Sequence, residues 1–252
     1  MRVYKRINDV YEVELPDCKK YFQFLQSDSA LLGGDVIAIF NEKYIGMKVL
    51  LINGSPRKEG NTYTALSETA RQLEKNGIEA EILWIGTKAV RGCIACGKCR
   101  ELGKNRCAFD DDVTNTVIEK METCDAIILG APVYYGQPAA QAMALQQRML
   151  YAGGQAFQGK PAAVVTVCRR GGASAAFQTL QMPFQMCNMP IVTSQYWNIA
   201  YGRTEGQSAL DTEGMQTMRR LADNMAVMLK MYATGKAEQP EIEPWDPMHF
   251  IR

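Results

Sequence analysis

The chain has 252 residues, 47% of them apolar and 22% charged, enough for a sizeable core in one or two domains. Its 28 basic and 27 acidic residues are mixed along the sequence and leave a net charge of +1, which excludes an electrostatic footprint for nucleic acid or an anionic membrane. The first residues, Met1 to Asp9, lack the apolar run of a secretory signal, and no stretch reaches the roughly 18 apolar residues of a membrane span, so a cytoplasmic protein is expected.

Residues 1–46 read as a small N-terminal extension. Residues 3–15 and 35–40 have strand character and 21–25 that of a short helical turn, with Pro16, Asp17, Gly33 and Gly34 as breaks. So short a segment buries too little surface to be secure alone, and it is expected to pack on the main domain or on a partner subunit. From Met47 the pattern alternates. Residues 49–52 form a continuous apolar run, as in a strand buried on both faces. A loop punctuated by Gly54, Ser55, Pro56 and Gly60 follows, then the N-cap types Asn61 and Thr62, and a helix over 63–76 that Gly77 ends. Next come an apolar stretch at 78–85, a cysteine loop at 91–107 and a helix at 112–122. A strand at 126–129 leads to a helix at 139–150, a strand at 162–167 to a helix at 173–186, and a fifth strand at 191–196 to a long helix at 212–233. Five strands alternating with helices predict an α/β fold with a doubly wound parallel sheet. Ligands of such sheets bind beyond the carboxyl ends of the strands, which gathers the loops 53–62, 131–138 and 168–173 into one site.

The first of these loops suits an anion. Free N–H groups at a helix start, the hydroxyls of Ser55 and Thr62, and the charge of Arg57 can all serve one phosphate. The spacing from Gly54 to Gly60 and the Asn-Thr in place of Lys-Ser/Thr depart from a nucleoside triphosphate loop, and no G-x-G-x-x-G is present, so a single terminal phosphate fits better. An ordinary strand-to-helix turn is the alternative. The second loop offers Tyr134 and Tyr135 with free main-chain groups, which suits a flat conjugated ring; core or interface aromatics are the other reading. In the third, Gly171 and Gly172 permit close backbone approach. The methionines at 215, 218, 225 and 228, with Leu221, lie at helical spacing and read as core.

The chain has eight cysteines and one histidine, His249. A reducing compartment makes disulfides a poor explanation, and one histidine leaves little for histidine-based catalysis. Cys93, Cys96 and Cys99 are spaced by three, and Cys107 follows after seven more residues. Three thiolates so spaced can wrap one face of an iron-sulfur cubane, and a fourth can return to close it. Lys98, Arg100, Lys104 and Arg106 would favour thiolates there. A structural zinc site and redox-active thiols are the competing readings. Cys18, Cys124, Cys168 and Cys187 read as buried small residues.

The run from Ile52 to Thr62, Ile-Asn-Gly-Ser-Pro-Arg-Lys-Glu-Gly-Asn-Thr, resembles the FMN-phosphate loop of the NAD(P)H-dependent FMN reductases and iron-sulfur flavoproteins, a branch of the flavodoxin-like superfamily. The likeness continues through the Ala131-Pro-Val-Tyr-Tyr-Gly-Gln-Pro138 loop, residues 188–198 and residues 213–225, and so covers about 47–252. It implies a flavodoxin-like five-stranded parallel sheet over 47–252 with the cysteine loop 91–107 inserted. It also implies bound FMN, the phosphate on Ser55, Arg57, Gly60, Asn61 and Thr62. The ring would lie against Pro132, Val133, Tyr134, Tyr135, Gly136, Gln137, Arg169, Gly171 and Gly172. Arg169 or Arg170 would face the charge of a reduced flavin or a nicotinamide phosphate. The cysteine loop resembles the place where iron-sulfur flavoproteins carry a 4Fe-4S cluster, on Cys93, Cys96, Cys99 and Cys107; the last gap is longer here than is usual in the family. The activity implied is electron transfer from NAD(P)H or ferredoxin to a small-molecule acceptor, with the flavin doing the chemistry and no side chain assigned as catalytic. The alternatives are a cluster-free NAD(P)H:FMN or quinone reductase and a non-enzymatic, flavodoxin-like electron carrier. A homodimer or homotetramer is expected, with neither nucleic acid nor membrane as partner.

Overall fold

The computed structural model describes residues 46–235 and 243–244. The elements expected within 1–45, Cys18 and His249 lie outside the described residues. A parallel sheet is built from β1 (Lys48–Asn53), β2 (Glu79–Trp84), β3 (Ala126–Tyr134), β5 (Ala162–Cys168) and β6 (Ile199–Tyr201), in the order β2-β1-β3-β5-β6. A two-residue strand, β4 (Gln137–Pro138), pairs antiparallel with β3 and makes the sheet six-stranded instead of five. Register is set by pairs such as Val49 opposite Ala126 and Ile127 opposite Ala162.

Among the described residues six α-helices accompany the strands: α1 (Asn61–Lys75), α2 (Lys98–Leu102), α3 (Thr114–Thr123), α4 (Ala140–Phe157), α5 (Ala173–Met186) and α6 (Thr212–Ala233). The alternation of side chains across each strand sorts them into two layers. Val49 and Leu51 of β1 pack with Leu66 and Leu73 of α1 and with Met218, Leu221 and Met225 of α6. Leu50 and Ile52 face the other way, onto Ile118 and Met121 of α3, Leu145 and Met149 of α4, and Leu180 and Phe184 of α5. Both faces of β1 are therefore buried, which is why its sequence is continuously apolar. The methionine stripe of α6 belongs to the first layer. No helix among the described residues is long and apolar enough to cross a membrane.

Three expectations need correction. The fifth parallel strand is 199–201, not 191–196. Ile191 makes one bridge to Ala162, and the ladder is then taken over by side chains: Asn198 Nδ2 donates to Val164 O at 3.0 Å, and Ser194 Oγ lies 2.7 Å from Asn198 Oδ1. Ser and Asn offer the backbone just such alternative partners, and the strand resumes only beyond them. Helix α4 runs on to Phe157, past the expected end at 150, because Gly153 and Gly154 let the helix approach Ile118 and Cys187 closely; a Cβ on Gly153 would lie 3.1 Å from Ile118 Cγ2. The cysteine loop also contains a short helix, α2, between Gly97 and Gly103, both at positive φ.

Candidate functional site

The chain leaves β1 toward β2 on one side and returns through β3 to β5 and β6 on the other, so the topological switch lies between β1 and β3. The loop after β1 is moored there. Gly54 N donates to Gly130 O at 2.8 Å, and Asn53, wholly buried, accepts from Ser55 N at 3.1 Å while its Nδ2 donates to Lys58 O at 2.9 Å. Ser55 Oγ accepts from Arg57 N at 3.1 Å. Trp84, at the end of β2, donates its indole N–H to Ser55 O at 2.8 Å. Neither Asn53 nor Trp84 was singled out from sequence, since both act through main-chain groups that no motif records.

The N-cap of α1 is Gly60, not Asn61 or Thr62; no side chain caps the helix and its first turn carries no acid. The first-turn N–H groups thus stay available to an anion. Thr62 and Ser55 are buried beside them, Arg57 is exposed, and the Arg57 side chain makes no hydrogen bond or ion pair among the described residues. Asn61 is used otherwise than expected. Its Nδ2 donates to Thr204 O at 2.8 Å and its Oδ1 accepts from Ser208 N at 2.9 Å, tying the helix start to the segment after β6, while its main-chain N–H stays in the open first turn. An uncapped helix N-terminus with two buried hydroxyls and an unpaired guanidinium fits a terminal phosphate.

The second loop is tighter than expected. β3 extends to Tyr134, and β4 returns after two residues, Tyr135 and Gly136, with φ of 52° and 78°. Positive φ at both positions belongs to a type I′ hairpin. Tyr134 and Tyr135 are exposed at its tip, and Pro132, Val133 and Gln137 flank them on the paired strands. Gly172, at φ 87°, lies against this hairpin so closely that a Cβ would stand 2.7 Å from Gly136 Cα. Gly171, Arg169 and Arg170 are exposed beside it, the arginine side chains without a hydrogen bond or ion pair among the described residues. The hairpin and the 168–173 loop are thus in contact, and the phosphate-type loop joins them through β3.

The cysteine loop forms a second centre. Cys93, Cys96, Cys99 and Cys107 line one small hollow of about 20 Å³, together with Phe109, Tyr151 and the buried Arg148 of α4. Ala95 N donates to Cys93 Sγ at 3.4 Å, and Arg148 Nη2 donates to Cys107 Sγ at 3.4 Å. The thiols ring a space and do not converge: among the described residues no three Cys, His, Asp or Glu side chains meet at a point that would hold a metal ion. The donor set is wholly thiol, and the only lining cation is the Arg148 guanidinium, whose Nε is buried without a partner. Four soft sulfur ligands around one hollow, with a guanidinium N–H donating to one of them, fit an iron-sulfur cluster. Of the remaining cysteines, Cys124 and Cys168 are buried, their thiols pushed up by burial, and Cys187 is half-buried.

The sequence profile of the NADPH-dependent FMN reductase family matches residues 47–204. An iron-sulfur flavoprotein of Methanocaldococcus jannaschii is 35% identical over 194 residues, 73% of this chain and 98% of the relative. Another, from Methanosarcina thermophila, is 32% identical over 191 residues, 73% of this chain and 96% of the relative. In fold, the chain is similar to the crystal structure of a flavodoxin, WrbA-like protein from Agrobacterium tumefaciens, with a TM-score of 0.51 at 16% identity over 73% of this chain and 98% of that one. The uncapped helix after β1, the hairpin at the switch point and these likenesses agree: the chain belongs to the NADPH-dependent FMN reductase family and, within it, to the iron-sulfur flavoproteins of the flavodoxin-like fold.

Proposed function

We propose that the chain is an FMN-dependent oxidoreductase that takes electrons from a reduced nicotinamide or a ferredoxin, carries a 4Fe-4S cluster on Cys93, Cys96, Cys99 and Cys107, and reduces a small acceptor. The observation that carries the flavin reading is the start of α1, where an uncapped N-terminus, buried Ser55 and Thr62 and unpaired Arg57 meet at the sheet's switch point. Ser55, Arg57, Thr62 and the N–H of Asn61 would hold the phosphate. The hairpin tip of Tyr134 and Tyr135, with Gly171 and Gly172 beside it, would hold the ring, and Arg169 would oppose negative charge on it. When bound, FMN supplies hydride acceptance and single-electron release, and the cluster supplies one-electron steps. The protein's share is to bind, orient and charge-balance them. Helix α4 starts at the hairpin and brings Arg148 to the hollow eight residues on, a rise of about 12 Å, so one rigid element spans both centres.

A wholly thiol donor set built on a C-x-x-C-x-x-C run supports a cluster over zinc, because the cysteine pairs of structural zinc sites are normally separated by longer spacers. The test is iron, zinc, sulfide and flavin content of protein prepared without oxygen, with NAD(P)H oxidation followed using a quinone or free flavin as acceptor. FMN with iron, sulfide and steady turnover is the expected result. FMN and turnover without iron would leave a cluster-free reductase, and FMN without turnover an electron carrier; absence of FMN would overturn the reading.

A further inference from the structure

Arg148 stands mid-helix in α4, in a run that reads as core, and only 1% of its side chain is exposed. Burying a guanidinium costs several kcal/mol even when it is paired, and an apolar residue of similar size would pack there at less cost. What the arginine does is grip the cysteine segment at both ends. Nη1 pairs with the equally buried Asp112 and reaches Arg91 O at 3.4 Å, just ahead of Cys93. Nη2 donates to Phe109 O at 3.1 Å and to Cys107 Sγ at 3.4 Å. A second buried side chain fixes the same cysteine through its main chain: Asn115 Oδ1 accepts from Cys107 N at 2.9 Å and its Nδ2 donates to Cys107 O at 3.1 Å. Cys96 and Cys99 have no such anchors among the described residues. Cys107, the thiol with the longest tether, is therefore the one the fold holds most firmly.

We propose that Arg148 is a positioning residue for this centre: its fork closes the cysteine loop, holds Cys107 as a fixed ligand, and raises the cluster's reduction potential through an N–H···S bond and a buried positive charge. The proposal rests on the cluster reading above. Hydrogen bonds to ligand sulfurs and net charge are two of the terms that set such potentials, and loss of both makes the centre harder to reduce.

The test uses the full chain prepared anaerobically, as parent, Arg148→Met and Arg148→Lys, with iron and sulfide per flavin and the cluster midpoint read by an EPR-monitored redox titration. Arg148→Met should lower the reduced-to-oxidised ratio of the cluster at a fixed potential by at least tenfold, equivalent to about 59 mV for one electron. Arg148→Lys, which restores the charge but not the planar fork, should recover part of that shift. A full cluster at the parental midpoint in Arg148→Met overturns the proposal. If that variant does not fold or load iron, Arg148→Lys decides: a lowered midpoint or iron content supports the role, and parental values for both overturn it. A parent without iron and sulfide overturns the cluster reading as well, which separates the two failures.

Discussion

Gly54 is the position where the fold and the proposed phosphate site are most tightly joined. A Cβ placed on it would lie 2.7 Å from Ala142 Cβ and 2.8 Å from Gly130 O, well inside the 3.5–4.0 Å of an ordinary carbon contact. Neither neighbour is a movable side-chain end. Ala142 is fully buried on α4, and Gly130 lies within β3. A Gly54→Ala substitution must therefore shift the loop by roughly 1 Å, a displacement that also breaks the 2.8 Å bond from Gly54 N to Gly130 O. Overpacking of this kind costs about 1–3 kcal/mol and the lost hydrogen bond about 0.5–1.5 kcal/mol, together roughly 1.5–4.5 kcal/mol. Where the chain relieves the clash by lifting the loop, the same energy appears as weaker FMN binding, roughly 10- to 1000-fold at 1.4 kcal/mol per decade. Urea unfolding and a flavin-fluorescence titration of the reconstituted protein read the two shares. Gly92→Ala is the control, since nothing lies within 4 Å of its Cβ. A Gly54→Ala protein with parental stability and parental FMN affinity would refute both the packing argument and the placement of the ligand.

Mass spectrometry of the released cofactor should find FMN and no FAD, and Ser55→Ala combined with Arg57→Ala should weaken binding by about 3–6 kcal/mol, from about 1.5–3 kcal/mol for each hydrogen bond to the charged phosphate. Lys160 Nζ donates to the carbonyls of Met121, Glu122 and Cys124 at 2.6, 3.1 and 2.7 Å, closing the end of α3. Lys160→Met should therefore lower the urea midpoint by the equivalent of about 1.5–3 kcal/mol with an unchanged slope, and an unmoved midpoint would mean that water serves those carbonyls equally well. Glu68 pairs with Arg219 and Arg71 at 2.6 Å each, and although burial pushes its carboxyl up, these arginines more than offset that and hold it below the usual range. A lowered folded-state pKa gives stability that is complete above the unfolded value of about 4.3 and is lost as pH falls through the folded one. Glu68→Gln should then cost about 0.5–1 kcal/mol at pH 7 and progressively less toward pH 3; an equal cost at both pH values would contradict the ion-pair origin.

The fold was legible where local signals and packing agree. Helices α5 and α6 begin and end at the expected residues, because Gly172 opens one and Asp211, whose Oδ1 accepts from Gly214 N at 2.9 Å, caps the other. Residues 49–52 read as a strand buried on both faces, and they are. Periodicity failed where a side chain competed with the ladder, at Ser194 and Asn198. It failed again at Tyr135, whose Tyr-Gly pair lacks the Asn or Asp that usually marks a two-residue hairpin.

The site was legible by place and less so by mechanism, and the difference has one physical cause. Loop positions follow from strand order, which the alternation of strand and helix signals specifies, so the sequence alone gathers the loops after β1, β3 and β5. What holds the loop after β1 and the cysteine loop is a set of bonds that no local motif pairs: Asn61 with Ser208, Trp84 with Ser55, Arg148 with Cys107 and Asn115 with the Cys107 main chain. Each joins a side chain to a partner that local periodicity does not reveal, and three of the four end on main-chain atoms, where the partner's identity leaves no trace in the sequence. Asn61 shows the consequence most plainly. Beside a helix start, an asparagine reads as a cap or a phosphate donor; here the segment after β6 takes both ends of its amide, and the cap position passes to Gly60, which has no side chain to compete with a ligand for the free N–H groups. An amide engaged elsewhere and a glycine at the cap together keep the helix end open, so the departure from the expected cap strengthens the case for an anion there.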